Sequence, residues 1–119
     1  MRFVWVGVGE AVGSVLRYAI GLTALRSTFP WATLTINISG SFALGLLLTW
    51  AMGRLPISII TPVSIGVLGG FTTFSAFAWE GFFLIRSGRA GLAAAYLLLS
   101  VIGGLIAAWL GYVTGRALL

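Results

Sequence analysis

The sequence predicts an all-α integral membrane protein of four transmembrane helices, the third broken near its middle. Three observations predict it. Of 119 residues, 60% are hydrophobic and 8% are charged, against about 25% charged in a soluble domain. Four spans of about 20 residues occupy about 80 positions, so the chain reads as a single four-helix membrane domain over 1–119. The longest apolar run carries Gly69-Gly70-Phe71-Thr72-Thr73 at its centre, and a glycine pair followed by two β-branched hydroxyl residues is a poor helix interior.

The absences narrow function. There is no His and no Cys, which excludes disulfides, His- or Cys-based metal sites and a Ser-His-Asp triad. The only acids are Glu10 and Glu80, too small a charged inventory for an enzyme to be expected. Net charge is +5, and all seven basic residues are arginines: Arg2, Arg17, Arg26, Arg54, Arg86, Arg89 and Arg116. Six stand singly near the ends of apolar segments and form no basic run. They read as interfacial anchors, not as a nucleic-acid surface.

The first span covers about 3–25 and contains Glu10 and Arg17. A signal peptide would be shorter and uncharged in its middle. Ser27-Thr28-Phe29-Pro30 is a turn, with Pro30 suited to a helix start. The second span covers about 31–52, and Gly53-Arg54-Leu55-Pro56 connects it to the third, at about 57–85. That third segment would be about 44 Å long as one helix, against a hydrocarbon core of about 30 Å. A break is expected near Gly69–Thr73. At membrane depth such breaks occur where backbone faces a cavity or packed protein, and they often expose carbonyls that hold ions. Arg86 to Gly91 form the next loop, and the fourth span covers about 92–111. Trp5, Trp31, Trp50, Trp79 and Trp109 fall mostly toward span ends, as an aromatic belt requires.

With alternating spans, Arg2, Arg54 and Arg116 lie on one side and Arg26, Arg86 and Arg89 on the other. The positive-inside rule has nothing to act on, so a dual-topology, antiparallel dimer stands beside single-orientation insertion. Gly9-xxx-Gly13, Gly66-xxx-Gly70 and Gly111-xxx-Gly115 each set two glycines on one helix face and predict close helix packing.

Polar residues at membrane depth are costly and usually functional. Arg17 either lines an aqueous vestibule or snorkels to an interface. Glu10, on roughly the same face, could neutralise it. Thr33, Asn37 and Ser41 recur every fourth residue and share a face. Thr72, Thr73 and Ser75 set hydroxyls beside Phe71, Phe74 and Phe77. Ring edges carry positive partial charge, so this row of edges and donors suits a small anion.

Those residues carry a resemblance. Over essentially its full length the chain resembles the Fluc-type (CrcB-type) fluoride channels. Gly9-Glu10-Ala11-Val12-Gly13-Ser14-Val15-Leu16-Arg17-Tyr18 is similar to that family's first-span pattern GGAxGAxxRY. Thr33-Leu34-Thr35-Ile36-Asn37-Ile38-Ser39-Gly40-Ser41-Phe42 resembles TLxVNxxGxF. The run from Gly66 to Phe77 resembles GxxGGxTTFSTF. The resemblance implies a fluoride-selective channel: an antiparallel dual-topology homodimer with two pores, multi-pass in the cell inner membrane. By the same resemblance it exports cytoplasmic fluoride passively down its gradient.

By that likeness Phe74 and Phe77 present ring edges to fluoride, and Asn37 donates to the ion. Thr73 and Ser75 belong to the polar surface of the path. Glu80 lies at one end of it with a fourth-span tyrosine, Tyr96, and Arg17 lines the vestibule. A structural Na+ at the dimer axis is implied on the backbone carbonyls of Gly69 and Thr72. Partners are the fluoride ion, the bilayer and a second copy of the chain.

Two departures from these patterns matter. Glu10 stands where the motif has Gly; facing the vestibule it would oppose an arriving anion. Ala76 replaces a hydroxyl residue, which matters only if that position lines the pore. The rival reading is a small multidrug-resistance exporter, also of four spans, using Glu10 to bind cationic drugs and protons. Arg17 on a similar face opposes that, and the Asn37, Phe and hydroxyl constellation is left unexplained by it. A third class, a non-transporting membrane subunit, would leave the glycines and aromatics as packing alone.

Overall fold

The computed structural model describes residues 1–119. Four helical spans are long and apolar enough to cross a membrane: Arg2–Ala24, Trp31–Ala51, Ile57–Arg86 and Ala90–Ala117. The first is helix α1 (Arg2–Gly21), which tightens into a 3₁₀ turn at Leu22–Ala24. The second is α2 (Trp31–Ala51), with Pro30 at its N-cap. The third opens as α3 (57–71) and continues as α4 (Phe74–Arg86). The fourth is α5 (Ala90–Ala117), which runs past the expected end at 111. No proline follows Gly111 to stop it, and Gly115 still packs against Thr49 of α2.

Helix α3 is not uniform. An α-helical turn at Ile57–Thr61 passes into a π-helical stretch at Pro62–Leu68 and a final turn at Gly69–Phe71. Proline supplies no N–H to the helical ladder, so Pro62 loosens the hydrogen bonding where the wider stretch begins. Nearby, Ser64 donates its hydroxyl to the Ile60 carbonyl at 2.8 Å. Thr72 (φ −81°, ψ 157°) and Thr73 (φ −149°, ψ 123°) are extended between α3 and α4.

Glycine decides how the helices meet. Gly9 and Gly13 of α1 are buried against Gly66 and Gly70 of α3. A Cβ on Gly9 would stand 2.6 Å from the Pro62 carbonyl oxygen, and one on Gly13 would strike the Val67 carbonyl and come within 2.7 Å of the Phe71 nitrogen. A Cβ on Gly66 would come within 2.7 Å of the Val6 carbonyl oxygen. This is backbone on backbone, the close approach that small-xxx-small pairs permit. Gly111 likewise meets α2 at Phe42 and Leu46, and Gly45 of α2 meets Ala108 of α5. All three glycine pairs noted in the sequence therefore make their contacts within one chain. Gly53 (φ 82°) and Gly88 (φ 78°) take left-handed backbone in the short loops after α2 and α4, where other residues are strained.

The alternation of spans gathers Arg2, Arg54 and Arg116 at one end and Arg26, Arg86 and Arg89 at the other. Arg54 lies over the Trp50 ring at 5.7 Å and donates to the Leu119 carbonyl oxygen at 3.3 Å. One small buried apolar cluster holds Leu34, Leu84, Ala93 and Tyr96, with Phe29, Ile38 and Phe77 packed on it.

Candidate functional site

The site begins at the two extended threonines. In a continuous helix the Thr73 N–H would donate to the Gly69 carbonyl. Here it donates to Asn37 Oδ1 at 2.8 Å, and Asn37 Nδ2 returns a bond to the Thr73 carbonyl at 2.9 Å. One amide side chain on α2 thus satisfies both polar groups of Thr73 and stands in for a backbone partner. Asn37 keeps its second N–H free of that pair. Thr73 Oγ1 in turn accepts from the Ala76 N–H at 3.2 Å, capping α4. Ser75 Oγ is 3.5 Å from Thr73 Oγ1.

These diversions change the carbonyls of the turn. Gly69 loses its usual donor to Asn37, and Thr72 loses the Ala76 N–H to the Thr73 hydroxyl. The Gly70 carbonyl is taken by Arg17, whose Nε donates to it at 3.1 Å. Helix α1 can deliver that guanidinium because Gly13 and Gly70 let the two backbones touch.

Toward the loop end of α4, Glu80 accepts two hydrogen bonds. Thr33 Oγ1 donates to its Oε1 at 2.9 Å, and Tyr96 Oη donates to its Oε2 at 2.9 Å. Three helices converge on this carboxylate, and Tyr96 is fully buried. An aromatic file leads away from it. The Tyr96 ring lies 5.4 Å from Phe77, and Phe77 lies 5.8 Å from Phe74, both tilted. Phe29 meets Tyr96 edge-on at 5.6 Å. Phe77 is packed on the core, whereas Phe74 is 78% exposed on the single chain.

Three clefts border this constellation. One of about 370 Å³ is lined by Asn37, Ser41, Thr72, Thr73, Phe74 and Phe77, with Ser100 of α5 at its wall. A second, of about 320 Å³, contains Ser14, Arg17, Thr33 and Thr73. A third, of about 640 Å³, opens at the Arg89 end and includes Thr33 and Glu80. Thr73 borders the first two, and Thr33 the last two.

The structure brings Asn37, Thr73, Ser75, Phe74 and Phe77 together at the extended threonines, and Glu80 with Tyr96 one to two turns away. Arg17 stands on the far side of that link. Gly69 lies in the final turn of α3 and lines the first cleft, and Thr72 follows that turn as the first extended residue. The Glu10–Arg17 pair that the sequence allows does not form: Arg17 turns to Gly70, and the Glu10 side chain is exposed. Seven residues are about 10.5 Å of helix rise, too far for the contacts that neighbours three or four apart make. Thr33 joins the site through a partner, Glu80, that the sequence does not reveal. Its position one turn before Asn37 is the signal, but its bond to Glu80 spans 47 residues. No group of three or more His, Cys, Asp or Glu gathers to hold a metal ion.

The fold and site define a small multi-pass membrane protein with donors and aromatic rings aligned at membrane depth. Comparison with known proteins gives that class a family. The family profile described as "CrcB-like protein, Camphor Resistance (CrcB)" matches residues 4–112, and the chain belongs to that family. It is 39% identical to "Fluoride-specific ion channel FluC 2" of Moorella thermoacetica over 99% of each chain. It is 43% identical to "Fluoride-specific ion channel FluC" of Agrobacterium fabrum, over 95% of this chain and 94% of that one. Identity to a Thermus thermophilus protein of the same name is 42%, over 98% of this chain and 95% of that one.

Proposed function

We propose that this chain is a fluoride-selective channel that exports cytoplasmic fluoride passively down its electrochemical gradient. It acts as a dual-topology antiparallel homodimer with two pores in the cell inner membrane. The observation that carries the reading is the cleft at the extended threonines. Asn37, Thr72, Thr73, Phe74 and Phe77 line one space, and Asn37 has one N–H to spare after its bonds to Thr73. The names of relatives about 40% identical over nearly the whole chain support the same ion.

Fluoride is strongly hydrated, so a pore must replace its water with fixed partners. Asn37 donates without moving, since its other contacts hold it to Thr73. Phe74 and Phe77 offer ring edges, which a small anion accepts. Arg17, paired with no acid, raises the local anion concentration. Thr73 and Ser75 continue the polar surface. Glu80 marks one end, with both carboxylate oxygens occupied by the Thr33 and Tyr96 hydroxyls. The 78% exposure of Phe74 on one chain supports a second copy covering it. The even split of arginines between the two ends supports insertion in both orientations.

A structural Na+ belongs to this reading. Gly69 and Thr72 fit it through their carbonyls, because both have lost their usual N–H donors and carbonyl oxygen is the ligand a hard cation takes. When bound, the cation supplies a fixed positive charge that ties the two copies together.

The test is fluoride efflux from liposomes holding the purified protein, read by a fluoride electrode after valinomycin releases the potassium counter-charge. Rapid fluoride efflux with chloride retained is the expected result. No efflux from well-folded protein refutes the reading and turns attention to Glu10-dependent drug binding.

A further inference from the structure

The two flanks of α1 differ in kind. At about 100° per residue, Val4, Val8, Val12, Val15 and Leu22 fall on one side of the face packed against α3. That flank is purely apolar and exposed, as a lipid-facing surface is. Phe3, Gly7, Glu10, Ser14, Arg17 and Gly21 fall on the other. Gly7 and Gly21 there face open space, since an added Cβ would meet nothing within 4 Å. Ser14, Arg17 and Gly21 line the cleft that reaches Thr33 and Thr73. Glu10 is on this polar flank, about 20° from Arg17 in projection and about 10.5 Å below it.

The carboxylate has no hydrogen-bond or ion-pair partner. The elements packed on α1 are α3, α2 and the Leu22–Ala24 turn, and none carries a charged side chain. On α1 itself the only other charges are Arg2 and Arg17. Arg17 commits its Nε to the Gly70 carbonyl.

We propose that Glu10 is an electrostatic brake on anion access: its carboxylate opposes the Arg17 charge along the same wall and lowers the fluoride concentration at the mouth beside Arg17. This rests on the channel reading above. An anion beside Arg17 sits about 10 Å from Glu10. The Coulomb relation at that distance gives about 0.4 kcal/mol in water and about 1.7 kcal/mol at an effective dielectric of 20. Removing the charge therefore raises low-concentration fluoride flux by about 2-fold to about 17-fold.

The experiment compares wild type, Glu10→Gln and Glu10→Gly in liposomes at submillimolar fluoride, in about 10 mM and about 1 M of an impermeant salt. The Debye length falls from about 30 Å to about 3 Å between them. Both neutral variants should exceed wild type in dilute salt, and the gap should close in concentrated salt. Glu10→Gly carries the test if Glu10→Gln fails to fold. Neutral variants equal to a conducting wild type, or a gap indifferent to salt, overturn this inference alone. A wild type that passes no fluoride overturns both this and the channel reading.

Discussion

Replacing Asn37 by Ala removes the one side chain that satisfies both polar groups of Thr73, through bonds of 2.8 and 2.9 Å. A donor or acceptor left unpaired away from water costs about 1–3 kcal/mol, so two orphans would cost roughly 2–6 kcal/mol. Side-chain hydrogen bonds in membrane proteins average only about 0.6 kcal/mol, because partners are found elsewhere. The backbone at this link has one escape. The Thr73 N–H can swing back to the Gly69 carbonyl and restore a continuous helix, which leaves the interruption healed and the Gly69 oxygen occupied. The expected loss is therefore about 2–4 kcal/mol of unfolding free energy, with fluoride flux abolished on either course. Unfolding in mixed micelles and liposome efflux measure the two quantities. Asn37→Asp keeps the acceptor for Thr73 N–H but cannot donate to its carbonyl, so it should lose one bond and also repel the anion. A stability change under about 0.5 kcal/mol with normal flux in Asn37→Ala would refute the reasoning.

Gly13→Val should destabilise the fold by at least about 1–3 kcal/mol, because a Cβ there strikes the Val67 carbonyl; the unfolding midpoint checks it. Tyr96→Phe removes the donor to Glu80 Oε2 and should cost about 1.5–3 kcal/mol, the range for a bond to a charged group, with reduced flux in the efflux assay. Substituting Phe74 or Phe77 by Ile should cut fluoride flux while size-exclusion chromatography shows unchanged assembly; wild-type flux in both would remove the rings from the path.

The four spans were legible because apolar runs of this length have no other place in so short a chain, and Pro30 marks a helix start whatever its surroundings. The glycine pairs were legible as contacts but not as to partner. Only the fold shows Gly9 and Gly13 on Gly66 and Gly70 of the same chain. The π-helical stretch at Pro62–Leu68 was not legible, since it depends on how α3 settles against α1. Nor was Arg17's partner. Charge alone suggested Glu10, while a backbone carbonyl 53 residues away is what the guanidinium reaches. Thr33, Asn37 and Ser41 shared a face in the sequence, yet they part company in space. Thr33 goes to Glu80, Asn37 to Thr73 and Ser41 to the Asn37 carbonyl. Periodicity sets a direction along one helix, and tertiary packing chooses what stands there.

At its four glycines the seam between α1 and α3 has no rotamers. Glycine brings no side-chain entropy to be lost on ordering, so this joint closes without the penalty that interlocking leucines carry. It also has no adjustable parts. A leucine seam can absorb a misfit by turning a χ angle, whereas peptide planes pressed on peptide planes can only separate. The Gly70 carbonyl and the helix that delivers the guanidinium to it therefore meet main chain on main chain. Their spacing is held against fluctuations that would blur a site built on side-chain packing.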